Sequence, residues 1–177
     1  RETGVRPVIN TLAQARHWLE AGGGACDIMV DTGINRLGIA MDQLGDETLA
    51  RLDVEVLHSH LASSEEDVPL NALQLARWQQ ARSLVPHRRA SLANSAGIIL
   101  GPDYHGDLTR PGLSLYGGVP CEKLAQVIEQ VVRPEVAVMQ VRDVPAGEGI
   151  GYNSTFVARQ DMRVGTVALG YADGYPR

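Results

Sequence analysis

The chain is poor in reactive amines and thiols and has no long apolar run. Its only lysine is Lys123. That residue sits in Cys-Glu-Lys-Leu beside Glu122, on a segment that reads as solvated, without the desolvation that tunes a lysine for nucleophilic or basic work near neutral pH. The two cysteines, Cys26 and Cys121, stand far apart and lack Cys-x-x-Cys spacing. This argues against a disulfide framework and points to buried thiols in a reduced, cytoplasmic compartment. No run approaches a membrane span, and the opening Arg-Glu-Thr-Gly-Val has neither the charged nor the apolar region of a secretory leader. The chain begins at Arg1 and not at Met, which leaves room for a preceding leader. Excess positive charge is absent too: 21 acidic residues outweigh 16 basic ones, for a net charge of -5. The basic residues are scattered and often neighbour acids, as at Glu20, Asp46, Glu65 and Glu122. Nucleic acid and anionic lipid are thereby disfavoured as partners, and a small neutral or zwitterionic one is expected.

What is present fits a soluble globular protein of one or two small domains: 177 residues, 44% hydrophobic and 21% charged. Val5 to Ile9 reads as a strand. Thr11 with Gln14 forms a capping box for a helix whose Leu12, Ala15, Trp18 and Leu19 share a face, and Gly22 to Gly24 ends it. Cys26 to Val30 is a buried strand with the polar Asp31 to Arg36 at its end, and a weaker helix spans Glu47 to Leu52. Val54 to His58 is the next strand. After the acidic loop Ala62 to Pro69, Asn71 with Gln74 caps a helix that turns Leu75, Trp78, Ala81 and Val85 inward. Arg89 to Leu92 feeds Asn94-Ser95-Ala96-Gly97, which opens a helix through Leu100, and Leu108 to Leu115 closes the region. Alternating strands and helices imply an α/β fold with a parallel sheet. Beyond Gln130, Pro134 to Val144, Ile150 to Phe156 and Val164 to Leu169 alternate apolar and polar residues around Pro-Ala-Gly-Glu-Gly, which is antiparallel character. A domain boundary is therefore expected near residue 130.

Polar residues at strand C-termini of an α/β barrel are where active sites sit, and four such ends occur: Asp31 to Arg36, His58 to His60, Asn94 to Ser95 and Arg110 to Gly112. Each has a bland counterpart in ordinary turn chemistry. Asp31-Thr32-Gly33 matches the aspartic-protease signature, but such a protease needs a paired loop in an all-β fold, and a tight turn with a solvated Arg36 explains it as well. His58 and His60, two apart, face one way in a strand and start a zinc site only if further ligands exist; hydrogen-bonding histidines are the simpler reading. Ser95 at a helix start offers a hydroxyl and free N–H groups to a phosphate, or is a plain N-cap. Arg110-Pro111-Gly112 places a fixed cation beside a residue without a side chain, where backbone approaches a flat ligand. Tyr152, in Gly-Ile-Gly-Tyr, reads as a strand aromatic whose phenol becomes a base only beside cations.

Taken together, M-V-D-T-G-I-N-R-L-G, H-S-H-L-A-S, A-N-S-A-G, R-P-G-L-S-L-Y-G, G-I-G-Y-N-S-T-F and G-Y-A-D-G-Y-P-R resemble, in order and spacing, the fold-type III, pyridoxal-phosphate-dependent alanine racemases. The resemblance spans nearly the whole chain. It implies the second half of a TIM-type (β/α)8 barrel over 1–130 and the beginning of a C-terminal β domain over 131–177. It implies that Ser95 and the backbone at Gly112 and Leu113 hold the cofactor phosphate, and that Arg110 bonds the pyridine nitrogen. A guanidinium does not give up its proton, so the ring nitrogen stays unprotonated and the cofactor is a weaker electron sink. Tyr152 matches one of the two acid/base groups that racemisation requires, His60 the histidine that orders it and Arg110, and Arg36 the arginine near the substrate carboxylate. Tyr171 and Arg177 match residues at the entrance. Interconversion of L- and D-alanine for peptidoglycan, in a head-to-tail homodimer, follows from the same likeness, with neither metal nor nucleic acid involved.

Two positions depart from the family. Its often carbamylated lysine falls on Met29, so another group or an anion must brace Arg36. Its cofactor lysine has no counterpart here, and Lys123 does not replace it, which implies that this chain alone is inactive. Three other readings compete: a non-catalytic pyridoxal-phosphate-binding barrel, which would lack the β domain; a metal-dependent barrel hydrolase using His58 and His60; and a degenerate paralogue serving as an interaction fragment.

Overall fold

A computed structural model describes residues 4–175. The chain divides into two compact units, Arg1–Val131 and Val132–Arg177.

The first unit carries a parallel sheet in the order β1-β2-β4-β5, with β3 on β2. Its strands are β1 (Val8–Ile9), β2 (Ala25–Asp31), β3 (Ile39–Ala40), β4 (Asp53–His58) and β5 (Arg89–Ser91). The helices are α1 (Leu12–Glu20), α2 (Glu47–Ala50) and α3 (Pro69–Leu84). Thr11 caps α1 as expected, accepting from the Gln14 backbone N–H at 3.1 Å. The Gln14 side chain reaches one residue further back than a capping box requires, to Asn10 N at 2.8 Å. β2 and β4 are buried along most of their length, the mark of a parallel strand covered on both faces. Trp78, Ala81 and Val85 of the α3 segment join Ile28, Val30, Leu57 and Leu92 in one apolar core, and Leu75 packs against it.

Several local expectations change. The first strand is only Val8–Ile9. β3 was not foreseen; it exists because Gly38, at φ +132°, lets the chain turn back so closely that a Cβ there would lie 2.6 Å from Asp31 N. α3 begins at Pro69 behind Val68, with no side-chain cap. Asn71 and Gln74 are therefore not its capping box; both face inward and are buried. The segment after Asn94 is a single 3-10 turn, Gly97–Leu100.

The free edge of β5 is covered. Gly106 bridges Ser91, Asp107 N donates to Ala90 O at 2.8 Å, and Arg110 N donates to Ala93 O at 2.9 Å. Gly106 has φ +65°, and an added Cβ would lie 2.5 Å from Ala90 O, so this close pairing needs glycine. The residues that follow form 3-10 turns at Leu113–Tyr116 and Glu122–Leu124.

The second unit has antiparallel pairs of β6 (Val138–Val144) with β9 (Met162–Val167) and β7 (Gly149–Ile150) with β8 (Phe156–Val157). Ile150 to Phe156 is not one strand. Asn153 and Ser154 take left-handed backbone, φ 58° and 48°, and turn Tyr152–Ser154 into a 3-10 corner. Among the described residues no helix is long and apolar enough to cross a membrane.

Candidate active site

The C-terminal ends of β2, β4 and β5 each release a loop whose shape is set by side chains bonding to backbone. After β2, the Asp31 carboxylate accepts from Gly33 N at 2.8 Å, Asn35 N at 3.1 Å and Arg36 N at 3.0 Å. Asn35 takes φ 55°, a left-handed conformation that asparagine tolerates better than most residues. The Asp31 carboxylate is thus committed to the loop, which leaves no place for the shared proton of a protease dyad. Arg36 leaves the loop exposed. Met29, further back on β2, is half-buried, and its Cγ would lie 3.2 Å from a Cβ at Gly38.

After β4 the chain places Ser59 and His60. His58 is the last residue of the strand and sets Nε2 3.5 Å from Asp27 Oδ2, whereas His60 lies beyond the strand and faces a cleft. The two histidines therefore do not share a ligand-like pair. Two further histidines are also engaged: His87 Nδ1 lies 2.7 Å from Val85 O, and His105 Nε2 lies 2.7 Å from Ile98 O. Among the described residues no group of three or more His, Cys, Asp or Glu is arranged to hold a metal.

After β5, Asn94 Oδ1 accepts from Gly97 N at 2.8 Å and from Ser64 Oγ at 2.9 Å. Ser95 Oγ instead accepts from Ser114 N at 3.2 Å. This bond joins the loop after β5 to the 3-10 turn Leu113–Tyr116.

Arg110 is the hub. Its guanidinium donates to Ser91 Oγ, to Ser59 O at 2.5 Å and to Leu92 O at 3.3 Å. Neutral acceptors from two strand ends thus hold the cation. Burial lowers its proton affinity below the ordinary arginine value, yet a guanidinium stays charged near neutrality. Its charge in turn acts on both histidines. Burial first, then Arg110, pushes His58 below the usual imidazole range, against the pull of Asp27. His60 is lowered by burial, by Arg110 and by Arg36, with Glu65 opposing.

His60, Asn94, Ser95, Arg110, Gly112 and Leu113 line one cleft of about 260 Å³. Five residues singled out from separate stretches of sequence thus meet there, namely His60, Ser95, Arg110, Gly112 and Leu113. Open space lies above Gly112, where an added Cβ would meet nothing within 4 Å. Ser114 Oγ, two residues on, is buried without a hydrogen-bond partner among the described residues. Hydroxyls, an unobstructed backbone and a fixed cation in one place suit a phosphate-bearing aromatic group. Lys123 does not line this cleft; it is exposed and borders another, with Glu65, Glu66, Asp67 and Cys121.

Tyr152 and Tyr171 belong to the second unit. Both are exposed, at 84% and 68%, each on a 3-10 turn, so Tyr152 is not the strand aromatic its setting suggested. Arg177 lies outside the described residues. The sequence marks Thr32 and Ser59 only as members of the polar spans Asp31 to Arg36 and His58 to His60, and it does not mark Ser91 or Gln74 for the site. Gln74 left a signal, a polar residue in line with Trp78 and Ala81 on the inward face of a helix.

The chain is similar to known proteins along its whole length. The family model for the alanine racemase N-terminal domain matches residues 1–120, and that for the alanine racemase C-terminal domain matches residues 131–177. An alanine racemase of Methylobacterium nodulans is 41% identical over all of this chain and half of its own length. A catabolic alanine racemase of Agrobacterium fabrum is 40% identical over 98% of this chain and 47% of its own. Among solved structures, the biosynthetic alanine racemase of Pseudomonas aeruginosa superposes with a TM-score of 0.82 at 34% identity, over 96% of this chain and 51% of that one. The Bartonella henselae alanine racemase, solved with covalently bound pyridoxal phosphate, gives 0.79 at 32% identity over 99% of this chain and 52% of that one. The chain spans about half the length of the relatives it matches. Its α/β unit with a parallel sheet and its antiparallel unit have the fold of these enzymes, and the chain belongs to the alanine racemase family.

Proposed function

We propose that this chain carries the phosphate, ring-nitrogen and substrate-carboxylate contacts of a pyridoxal-phosphate-dependent enzyme that interconverts L- and D-alanine. The observation that carries the reading is the cleft in which Arg110, held by Ser91, Ser59 and Leu92, stands beside Ser95, Gly112 and His60. Residues 1–130 would contribute the later part of the cofactor-binding barrel, and 131–177 the beginning of the β domain.

When bound, pyridoxal phosphate supplies the electron sink that makes the α-hydrogen of an amino acid labile. The residues of this chain then divide the remaining work. Ser95 donates its hydroxyl to the phosphate, and Gly112 and Leu113 bring backbone N–H groups to it. Arg110 would donate to the ring nitrogen and, staying charged, would leave that nitrogen unprotonated. His60, kept neutral by burial and by two arginines, orients the groups around Arg110. Arg36 binds the amino acid's carboxylate. Tyr152 exchanges a proton at Cα from one side, and a lysine from outside these 177 residues does so from the other. Tyr171 and Arg177 line the entrance. In a head-to-tail homodimer Tyr152 serves the partner's cofactor. The product D-alanine would supply peptidoglycan in the cytoplasm.

The non-catalytic barrel is disfavoured, because such proteins lack the β domain and residues 131–177 match the racemase C-terminal model. The test is to bind pyridoxal phosphate to the intact protein that contains this chain, reduce it with borohydride and map the labelled peptide. Labelling at a lysine other than Lys123, with racemisation of L-alanine, is the expected result. Specific labelling of Lys123, or racemisation by the 177-residue chain alone, overturns the assignment.

A further inference from the structure

We propose that Gln74 is a positioning residue that sets the spacing between the Arg36 loop and the His60–Arg110 pair; the inference rests on the racemase reading above. Gln74 lies on α3 and is wholly buried. All of its amide hydrogen-bonding goes to the two strand-end loops. Oε1 accepts from Ala62 N at 2.8 Å. Nε2 donates to His60 O at 3.0 Å and to Thr32 Oγ1 at 3.1 Å. Thr32 Oγ1 is itself 2.7 Å from Ser59 Oγ, and both residues are buried.

One side chain thus holds the loop after β4 at His60 and Ala62 and, through Thr32, the loop after β2 that ends in Arg36. The neighbouring Arg77, one turn along α3, donates to Thr32 O at 3.1 Å. Gly33 packs against the same two side chains: a Cβ there would lie 3.2 Å from Arg77 Nη1 and 3.5 Å from Gln74 Cγ. Ser59 completes the link, because its carbonyl holds Arg110. The carboxylate-binding arginine and the ring-facing arginine are therefore referred to one amide on a rigid helix. An amide suits this task because it offers a donor and an acceptor without charge. Burying it among apolar neighbours is tolerable only because both ends are satisfied.

Two variants of the intact protein test this. Gln74→Met keeps the volume and removes every bond. Gln74→Glu keeps an acceptor for Ala62 N and, protonated at this buried position, at most one of the two donations. In the methionine variant, amide exchange is expected to quicken about tenfold at Ala62, Gly33, Asn35 and Arg36, with the β2–β4 ladder unchanged. In the glutamate variant, protection is expected to persist at Ala62 and to fall at Gly33, Asn35 and Arg36. In the methionine variant, the KM for alanine is expected to rise about tenfold while the dissociation constant for pyridoxal phosphate stays within about twofold. Unchanged exchange in both loops, equal acceleration throughout the core, or a matching loss of cofactor and alanine binding would overturn the proposal. If the exchange pattern holds but the parent protein does not racemise alanine, the racemase reading falls and the bracing by Gln74 stands.

Discussion

Arg110 and Ser59 meet through a guanidinium Nη2 that donates to the Ser59 carbonyl at 2.5 Å, so the chain covering the edge of β5 is tied to the loop after β4. A lysine has one point of donation and cannot span Ser91, Ser59 and Leu92 together. Arg110→Lys is expected to lower the unfolding free energy by about 1–3 kcal/mol, the cost of leaving buried carbonyls unpaired. Urea denaturation measures it, and an unchanged midpoint would show that the contacts are dispensable.

Asp31→Asn tests the loop that presents Arg36. An amide keeps one acceptor, but its NH2 opposes one of the three backbone donors at Gly33, Asn35 and Arg36. A loss of about 1–2 kcal/mol of loop stability is expected, read as roughly tenfold faster amide exchange at those residues. Equal exchange in both proteins would remove Asp31 from the account.

The histidines set a pH dependence. His58 and His60 are both lowered from 6.5, so the folded chain binds fewer protons than the unfolded one just below that value. Stability contributed by their neutral forms is complete above about pH 6.5 and is lost as the pH falls toward their folded-state values. The charges facing them are Asp27, Arg6 and Arg110 for His58, and Arg110, Arg36 and Glu65 for His60. Urea midpoints are expected to fall between about pH 7 and about pH 5.5, and His58→Gln with His60→Gln to flatten that slope. A slope unaltered in the double variant would place the titration elsewhere.

Trp78 is fully buried in the α3 core, and its indole N–H has no hydrogen-bond partner among the described residues. Trp78→Ala is expected to cost about 3–5 kcal/mol by opening a cavity. Trp78→Phe, which removes the unpaired N–H and leaves a smaller gap, is expected to cost clearly less. Equal losses in thermal or urea unfolding would mean that the indole N–H is satisfied.

Local chemistry made much of the fold legible. Thr11 caps α1 because a hydroxyl one residue before an amphipathic run bonds its first turn wherever the helix later packs. β2 and β4 were readable because unbroken apolar runs bounded by glycine or polar turns have few other uses. The same local logic failed at Asn71 and Gln74, whose spacing imitates a capping box. Their partners are Glu66 O for Asn71, and Ala62 N, His60 O and Thr32 Oγ1 for Gln74. Thr32, 42 residues away, leaves no mark in a window around position 74. The corner at Tyr152 was hidden for another reason: Asn153 and Ser154 take left-handed backbone without a glycine to announce it.

The alternation of strands and helices, the change to antiparallel pairing beyond residue 130 and the motifs that mark an alanine racemase follow from residue type and short-range order, and so are written in the chain before it folds. That Ser95 receives Ser114 N and not a helix start, that Arg110 is held by two carbonyls and a hydroxyl, and that one buried glutamine joins two loops emerge only in the folded chain. These bonds join positions far apart in the chain. Buried polar groups must find partners, and which partners are within reach is settled only when the strand ends come together.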